Sequence, residues 1–342
     1  MISIRALVRY LLTTLLMWSV PSLAATLSLE KPDVQTFINQ IVTRDHLDRQ
    51  WVTDVLLHAD FKQSIVDTMS KPAEHVRAWH DYRAIFITER RIREGREFFV
   101  EHRAQLEETS RKTGVPPEII CAIVGVETSY GKITGTYRVL DALATLAFDY
   151  PPRASYFRSE LEQFLLLSKE AKFDPLKVTG SYGGAMGAPQ FMPRSYREFA
   201  ADGDNDGRID LWNSWPDIIQ SVARYFVIHG WKSGEPVVAK ADLWYPDVAD
   251  LPAGRIELTE SVAGLRSKGV LFDAPVRDET RAVFLALRDA DGPTYRVGFH
   301  NFWVITRYNN SNMYALAVSE LADAIASGTS PTSSVITQTT HP

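Results

Sequence analysis

From Lys31 to about Lys112, apolar residues recur every three or four positions, the spacing of one helix face. DVQTFINQIVTR shows it most clearly, and SIVDTMSKPAEHVRAWHDYRAIF follows in the same style. The charge-dense ERRIREGREFFVEHRAQLEETSRKTG predicts one long, solvent-facing helix ending near Gly114. Pro116 and Pro117 suit the first turn of the next helix, which should run to about Ser129. Ile119, Ile120, Ile123, Val124 and Val126 make that helix apolar nearly all round, so it should be buried. PRASYFRSELEQFLLLSKE predicts another helix, and WPDIIQSVARYFVIHGW a further one stopped by Gly230. Between them lies TGSYGGAMGAPQFMPRSYREFA, rich in glycine and turning helical near Arg194.

The texture changes at about Lys232. GEPVVAKADLW, GRIELTE and RAVFLALRD are short and β-rich, with turn residues between them. DADGPTYRVGFHNFWVITRYN reads as a hairpin strand returning to the main body, and NMYALAVSELADAIA is helical again. The expected organisation is a mainly α protein with a helical segment at 31–112, a core at 113–231, a small β insertion at 232–293 and a helical return at 294–327. The Ser/Thr-rich 328–342 is expected to be a disordered tail.

Composition narrows the class. With 45% hydrophobic and 23% charged residues the chain is an ordinary folded protein, and a net charge of −5 argues against nucleic-acid partners. The single cysteine, Cys121, excludes an internal disulfide and a Cys-rich metal site, and reads as a core residue. Residues 1–24 read as a secretory signal: Arg5 and Arg9 precede the apolar YLLTTLLMW, and Ser22 and Ala24 suit cleavage after Ala24. An uncleaved anchor is the alternative. No cysteine follows for a lipid anchor, and no later stretch is long enough to span a membrane.

One carboxylate stands out. On a helix, Glu127 shares a face with Val124, Ile123 and Ile120. An apolar setting raises a carboxyl pKa, and the negative end of the helix dipole does the same. Both effects suit a general acid near neutral pH. The other reading is a structural glutamate held by an arginine or backbone N–H groups. The later stretch SYGGAMGAPQFMP combines glycines that allow close backbone approach with Gln190 amid Met186, Phe191 and Met192. That mixture suits sugars, with their apolar faces and hydroxyl rims; a tight turn between packed helices is the alternative. Further on, DGDNDGRIDLWN fits a calcium loop: Asp202, Asp204 and Asp206 hold the first, third and fifth positions and Gly207 the sixth. Arg208 would offer its carbonyl and Asp210 a direct or water-mediated ligand, while Asn213 stands where a bidentate glutamate is usual. A solvated acidic loop is the alternative.

VETSYG, GSYGGAMGAPQFMP, DGDNDGRIDLW and VITRYNNSNMYALAV occur in order and resemble the lytic murein transglycosylase B family, glycoside hydrolase family 103, over most of the chain. The resemblance implies a lysozyme-like helical core, an additional helical domain and a small β domain. It implies cleavage of the β-1,4 bond between N-acetylmuramic acid and N-acetylglucosamine in peptidoglycan, with Glu127 as sole acid and then base and a 1,6-anhydro product. By position it implies that Ser181, Gln190 and Phe191, with Met186 in the same loop, line the sugar cleft together with Tyr225. It implies that Tyr308, Asn309 and Tyr314 close the site beside the glutamate. Pro189 departs from the family pattern and removes one backbone donor from the loop. The resemblance also offers Asp217 as a further ligand of a structural Ca2+, with no organic cofactor.

The partner expected on this basis is the peptidoglycan glycan strand, with other cell-wall enzymes as further partners, for a periplasmic monomer. Two other functions stay open: a water-using muramidase or chitinase-like hydrolase, and a non-catalytic peptidoglycan-binding protein.

Overall fold

The computed structural model describes residues 27–70, 77–245 and 256–329. The expected signal at 1–24 lies outside them, as does the expected tail beyond Thr329; Gly328 and Thr329, expected to open that tail, instead finish the last described helix. The N-terminal part is helical: α1 (Pro32–Asp45), α2 (Arg49–Leu57), α3 (Gln63–Ser70), α4 (Trp79–Phe86), α5 (Glu89–Glu101) and α6 (Arg103–Thr113). Asp48 and Thr88 cap α2 and α5 by accepting the N–H of Trp51 and Arg91, which satisfies donors that the first turn leaves open. Gly114, at φ 73°, ends α6 in the left-handed conformation that glycine tolerates best.

The single long helix expected over this charged stretch is instead two. The break falls at His102, which is 8% exposed. Its ring packs 4.5 Å from that of Phe98 and 5.2 Å from that of Trp215. A tertiary contact thus overrides local helix propensity. The α5 helix is not wholly solvent-facing either, since it buries Gly95, Phe98 and Phe99.

The centre of the molecule is α7 (Pro117–Thr128), entered through Pro117 and packed by α5, α6, α14 (Asn312–Thr329) and α11 (Trp215–Ile228). Around it stand β1 (Tyr137–Arg138), α8 (Val139–Asp149), α9 (Ala154–Glu170), β2 (Thr179–Gly180) and α10 (Pro193–Phe199). Strand β1 pairs antiparallel with β2. Every residue of α7 from Ile119 to Val126 is buried, as an all-round apolar sequence requires. Asp141 of α8 is 4% exposed and accepts the Asp60 N–H at 2.9 Å and Arg138 Nε at 2.9 Å, which ties the N-terminal helices to the core.

The remaining strands form one antiparallel sheet in the order β4-β6-β7-β3-β5: β3 (Val238–Leu243), β4 (Glu260–Ser261), β5 (Val270–Phe272), β6 (Arg281–Asp289) and β7 (Gly292–Gly298). The α12 helix (Val262–Ser267) lies between β4 and β5 in sequence. Strand alternation divides β6 between two cores. Val283 and Leu285 join the helical core, whereas Ala282 and Phe284 pack with Val262, Leu265, Val270 and Phe299 in a smaller cluster. Of GRIELTE, strand forms in the described residues only at Glu260, and β7 continues past Pro293 to Gly298. Helix α13 (His300–Tyr308) then returns the chain to α14.

The exit from α7 is unusual. Ser129, Tyr130 and Gly131 have φ of 49°, 61° and 79°, so two residues with side chains in succession are left-handed. The Tyr130 N–H reaches back to the Val124 carbonyl at 3.2 Å and the Ser129 N–H to Gly125 at 3.1 Å, the pattern that closes a helix end. The Tyr130 ring lies against Gly95 and Gly125, stacks on Phe98 at 5.5 Å and donates its hydroxyl to the Arg91 carbonyl at 2.8 Å. A Cβ at Gly125 would stand 2.7 Å from Tyr130 Cζ. We expect Gly125→Ala to lower stability by about 1–3 kcal/mol, the cost of overpacking, measured as a lower urea midpoint. An unchanged midpoint would show that Tyr130 does not fix this turn.

Candidate active site

Glu127 sits in the last turn of α7, just before this strained exit, and is half-buried. The Tyr314 hydroxyl, from the start of α14, donates to Glu127 Oε1 at 2.6 Å. Burial pushes the carboxyl up to about 7, against the smaller downward pull of that hydrogen bond. Among the described residues no cation and no second carboxylate joins these two causes. The alternative of a glutamate neutralised by an arginine is therefore not what is found. The site holds one acid, poised near neutrality.

Tyrosines wall it in. The Tyr314 and Tyr308 rings lie parallel within 13° at 6.4 Å, and Tyr308 lies 4.7 Å from Tyr225. Burial, then the Glu127 charge, raises the hydroxyl pKa of both Tyr308 and Tyr314 well above the usual range. Both phenols therefore stay protonated and act as donors. The Tyr308 hydroxyl does not reach Glu127 but donates to the Pro189 carbonyl at 2.7 Å. The Tyr225 hydroxyl donates to the Arg307 carbonyl at 2.6 Å, and its ring is 7% exposed.

The glycine-rich loop is fastened at three consecutive carbonyls. The Gly187 carbonyl accepts Gln190 Nε2 at 2.9 Å, Ala188 accepts the Thr128 hydroxyl at 2.8 Å, and Pro189 accepts Tyr308. Thr128 follows the acid in sequence and also receives the Gly131 N–H at 3.0 Å, so one hydroxyl joins the end of α7 to the loop. Pro189 is buried and its role here is as an acceptor, which its missing N–H does not impair. Gly187, at φ 67°, lets the backbone pass close to the Leu211 carbonyl.

The residues expected to meet a sugar divide into two groups. Ser181 is half-buried with its Oγ accepting the Ala185 N–H at 3.0 Å, and its own proton is available to a ligand. Gln190, at φ 52°, commits Nε2 to Gly187 and to Thr134 O at 3.0 Å, leaving Oε1 as an acceptor. Asn309 is exposed at the end of α13. By contrast Met186 is 0% and Phe191 2% exposed. These two, with Tyr225, support the loop from beneath instead of presenting a face to a ligand. One neighbour escaped the sequence reading. Tyr82 of α4 is half-buried, and the Glu127 charge contributes, after burial, to raising its hydroxyl pKa. The Arg83 Nε–Glu320 Oε2 contact at 2.5 Å ties α4 to α14.

The acidic loop brings Asp202, Asp204 and Asp217 together, with one carboxylate oxygen of each within 4.8 Å of the others. Asp217 is 1% exposed and accepts the Gly203 and Asp210 N–H groups at 2.7 and 2.8 Å. Asp206 turns back to the Arg208 N–H at 2.8 Å, and Asp210 to the N–H groups of Trp212 and Asn213 at 2.8 and 2.9 Å. Three clustered hard oxygen donors fit calcium better than softer metals.

Comparison with known proteins matches this arrangement to one lineage. The chain is 40% identical over 304 residues to the membrane-bound lytic murein transglycosylase B of Escherichia coli, covering 86% of this chain and 83% of that protein. The soluble lytic transglycosylase SltB1 of Pseudomonas aeruginosa superposes with a TM-score of 0.83 at 45% identity, over 87% of this chain and 99% of that one. The Escherichia coli lytic transglycosylase Slt35, solved in complex with calcium, gives 0.81 at 40% identity, over 90% and 96%. Residues 30–323 match the transglycosylase SLT domain, and the chain belongs to that family.

Proposed function

We propose that the protein is a lytic murein transglycosylase that cleaves the β-1,4 bond between N-acetylmuramic acid and N-acetylglucosamine in peptidoglycan glycan strands. The names of its relatives support the activity. The observation that carries the mechanism is the lone Glu127 carboxyl, raised to about 7 and held by Tyr314. Protonated, Glu127 gives its proton to the glycosidic oxygen as the bond to C1 breaks. The sugar's own N-acetyl group spreads the positive charge left at C1, in place of a second carboxylate. The Glu127 carboxylate then takes the proton of the muramyl C6 hydroxyl, whose oxygen bonds to C1 and closes the anhydro ring. One proton leaves and one returns, and no water is consumed. Ser181, Gln190 Oε1 and Asn309 supply polar contacts to the sugars. The test is digestion of purified sacculi: soluble fragments should appear without new reducing ends. Reducing ends in proportion to fragments would favour the water-using hydrolase.

Calcium is proposed as a structural ion held by Asp202, Asp204 and Asp217, with the Arg208 carbonyl and the other loop aspartates, Asp206 and Asp210, completing the shell. The Slt35 calcium complex supports the choice of ion. An ion bound only by the folded state stabilises it by about 2.7 kcal/mol at a hundredfold excess over its Kd. We therefore expect a chelator to lower the melting temperature and added calcium to restore it. Identical melts with and without the ion would count against the site.

Export to the periplasm is proposed from the basic and apolar pattern of residues 1–24. No described helix is long and apolar enough to cross a membrane.

A further inference from the structure

A groove of about 1320 Å³, in whose lining Glu127 takes no part, runs between the segment that ends α9 and leads to β2 and the loop that carries Asp202. It exceeds the ~300–1,000 Å³ of sites that enclose one small molecule. Phe173 and Trp212 are half-buried, so part of each ring faces the opening, and Trp212 tilts by 36° over Tyr196 at 6.1 Å. The lining holds four cations, Lys172, Lys177, Arg197 and Arg208. It also holds four carboxylates, those of Glu170, Asp174, Asp202 and Asp210. Several neutralise each other: Arg197 Nη2 lies 2.6 Å from Glu170 Oε1, and Lys177 Nζ 3.5 Å from Asp174 Oδ2.

With Asp202 and Asp210 committed to the proposed calcium, the remaining charges are the paired Arg197–Glu170 and Lys177–Asp174 with Lys172 and Arg208 beside them, a weakly cationic wall. A ligand with apolar faces, a rim of hydroxyl and amide groups and one carboxylate per two sugars, as in a peptide-free muramyl strand, matches both the half-exposed rings and these walls. The chain links the groove to the residues around Glu127. Thr179 lines the groove and opens β2, and Ser181 follows two residues later, about 7 Å along an extended chain.

We propose that this groove is an accessory saccharide site for N-acetylated sugars of the strand that occupies the Glu127 cleft; the proposal rests on the transglycosylase reading, which makes the ligand a polymer. Peptide-free glycan strands, long and short, are the probes, with peptide-bearing strands of the same lengths beside them. For the parent, kcat/KM should rise with strand length. In Trp212→Ala and Thr179→Trp the long-to-short ratio should fall at least fivefold. Thr179 is exposed, so its replacement fills the groove without opening the core should Trp212→Ala fail to fold. An unchanged ratio in Thr179→Trp overturns the proposal. So does a loss seen only with peptide-bearing strands, which would make the groove a site for acidic peptide stems. Calorimetry on the full chain carrying Glu127→Gln separates this proposal from the reaction itself. Length-dependent binding that disappears with Thr179→Trp supports the groove even if Glu127 proves not to be the acid, and its persistence overturns the proposal.

Discussion

Replacing Glu127 by glutamine should cut lysis of purified sacculi by about 10²–10⁴-fold, the range that a positioned acid–base group contributes, and leave binding of glycan strands in place. Glutamine keeps the shape and can still accept the Tyr314 hydroxyl, so the end of α7 and the loop fastened to Thr128 should hold. What it loses is the transferable proton. No second carboxylate or cation acts on this carboxyl among the described residues, so no neighbour stands ready to take over. A variant with unchanged lysis would show that the proton comes from elsewhere. A variant with neither lysis nor strand binding would fail to separate chemistry from folding, and for that reason its melting temperature is measured beside its activity.

The second large effect should come from Tyr314→Phe. A hydrogen bond to a charged group is worth about 1.5–3 kcal/mol, so activity should fall about 10–100-fold if Tyr314 orients and steadies the carboxylate in the base step. The pH profile gives a sharper reading. The Tyr314 hydroxyl pulls the Glu127 pKa down against burial, so its removal should raise that pKa. Activity that needs the protonated acid should decline as pH rises through about 7 in the parent, and at higher pH in Tyr314→Phe. A downward shift, or the same limb with reduced activity, would mean that Tyr314 acts on the sugar and not on the acid. Stability should follow the same sign. The folded state binds this proton more tightly than the unfolded chain does. The Glu127 contribution is therefore complete below the ordinary value of 4.5 and is lost as pH rises towards about 7.

Glu127 was conspicuous in the sequence because a charge directly after the apolar run from Ile119 to Val126 demands a reason. The burial of α7 followed from the same pattern. Its partners were less visible. Tyr308 and Tyr314 lie far along the chain, and only the resemblance of RYNNSNMY to a family pattern drew them out. That pattern could not say where a hydroxyl points, and Tyr308 turns to the Pro189 carbonyl. Met186, Phe191 and Tyr225 share the same limit. Each is of a type that suits a sugar cleft, yet Met186 and Phe191 are sealed and the Tyr225 hydroxyl is spent on Arg307. Tyr82 carried no local signal at all, standing among charged residues on a short helix. The break at His102 was hidden for a related reason: helical periodicity records one face, whereas the ring of Trp215 that draws His102 inward belongs to an element more than a hundred residues on. The acidic loop shows the reverse case. Its spacing pointed to carboxylate ligands, but which of them converge depends on turns at Asn205 and Gly207, at φ 61° and 88°.

In the proposed reaction one carboxyl moves one proton out and back while the sugar closes on itself. Digestion of sacculi in heavy-oxygen water, with mass analysis of the released muramyl ends, tests it most directly. The released ends should be lighter by one water than hydrolysed ones and free of heavy oxygen. Heavy oxygen at C1 of those ends would mean that water attacks there, and would contradict it.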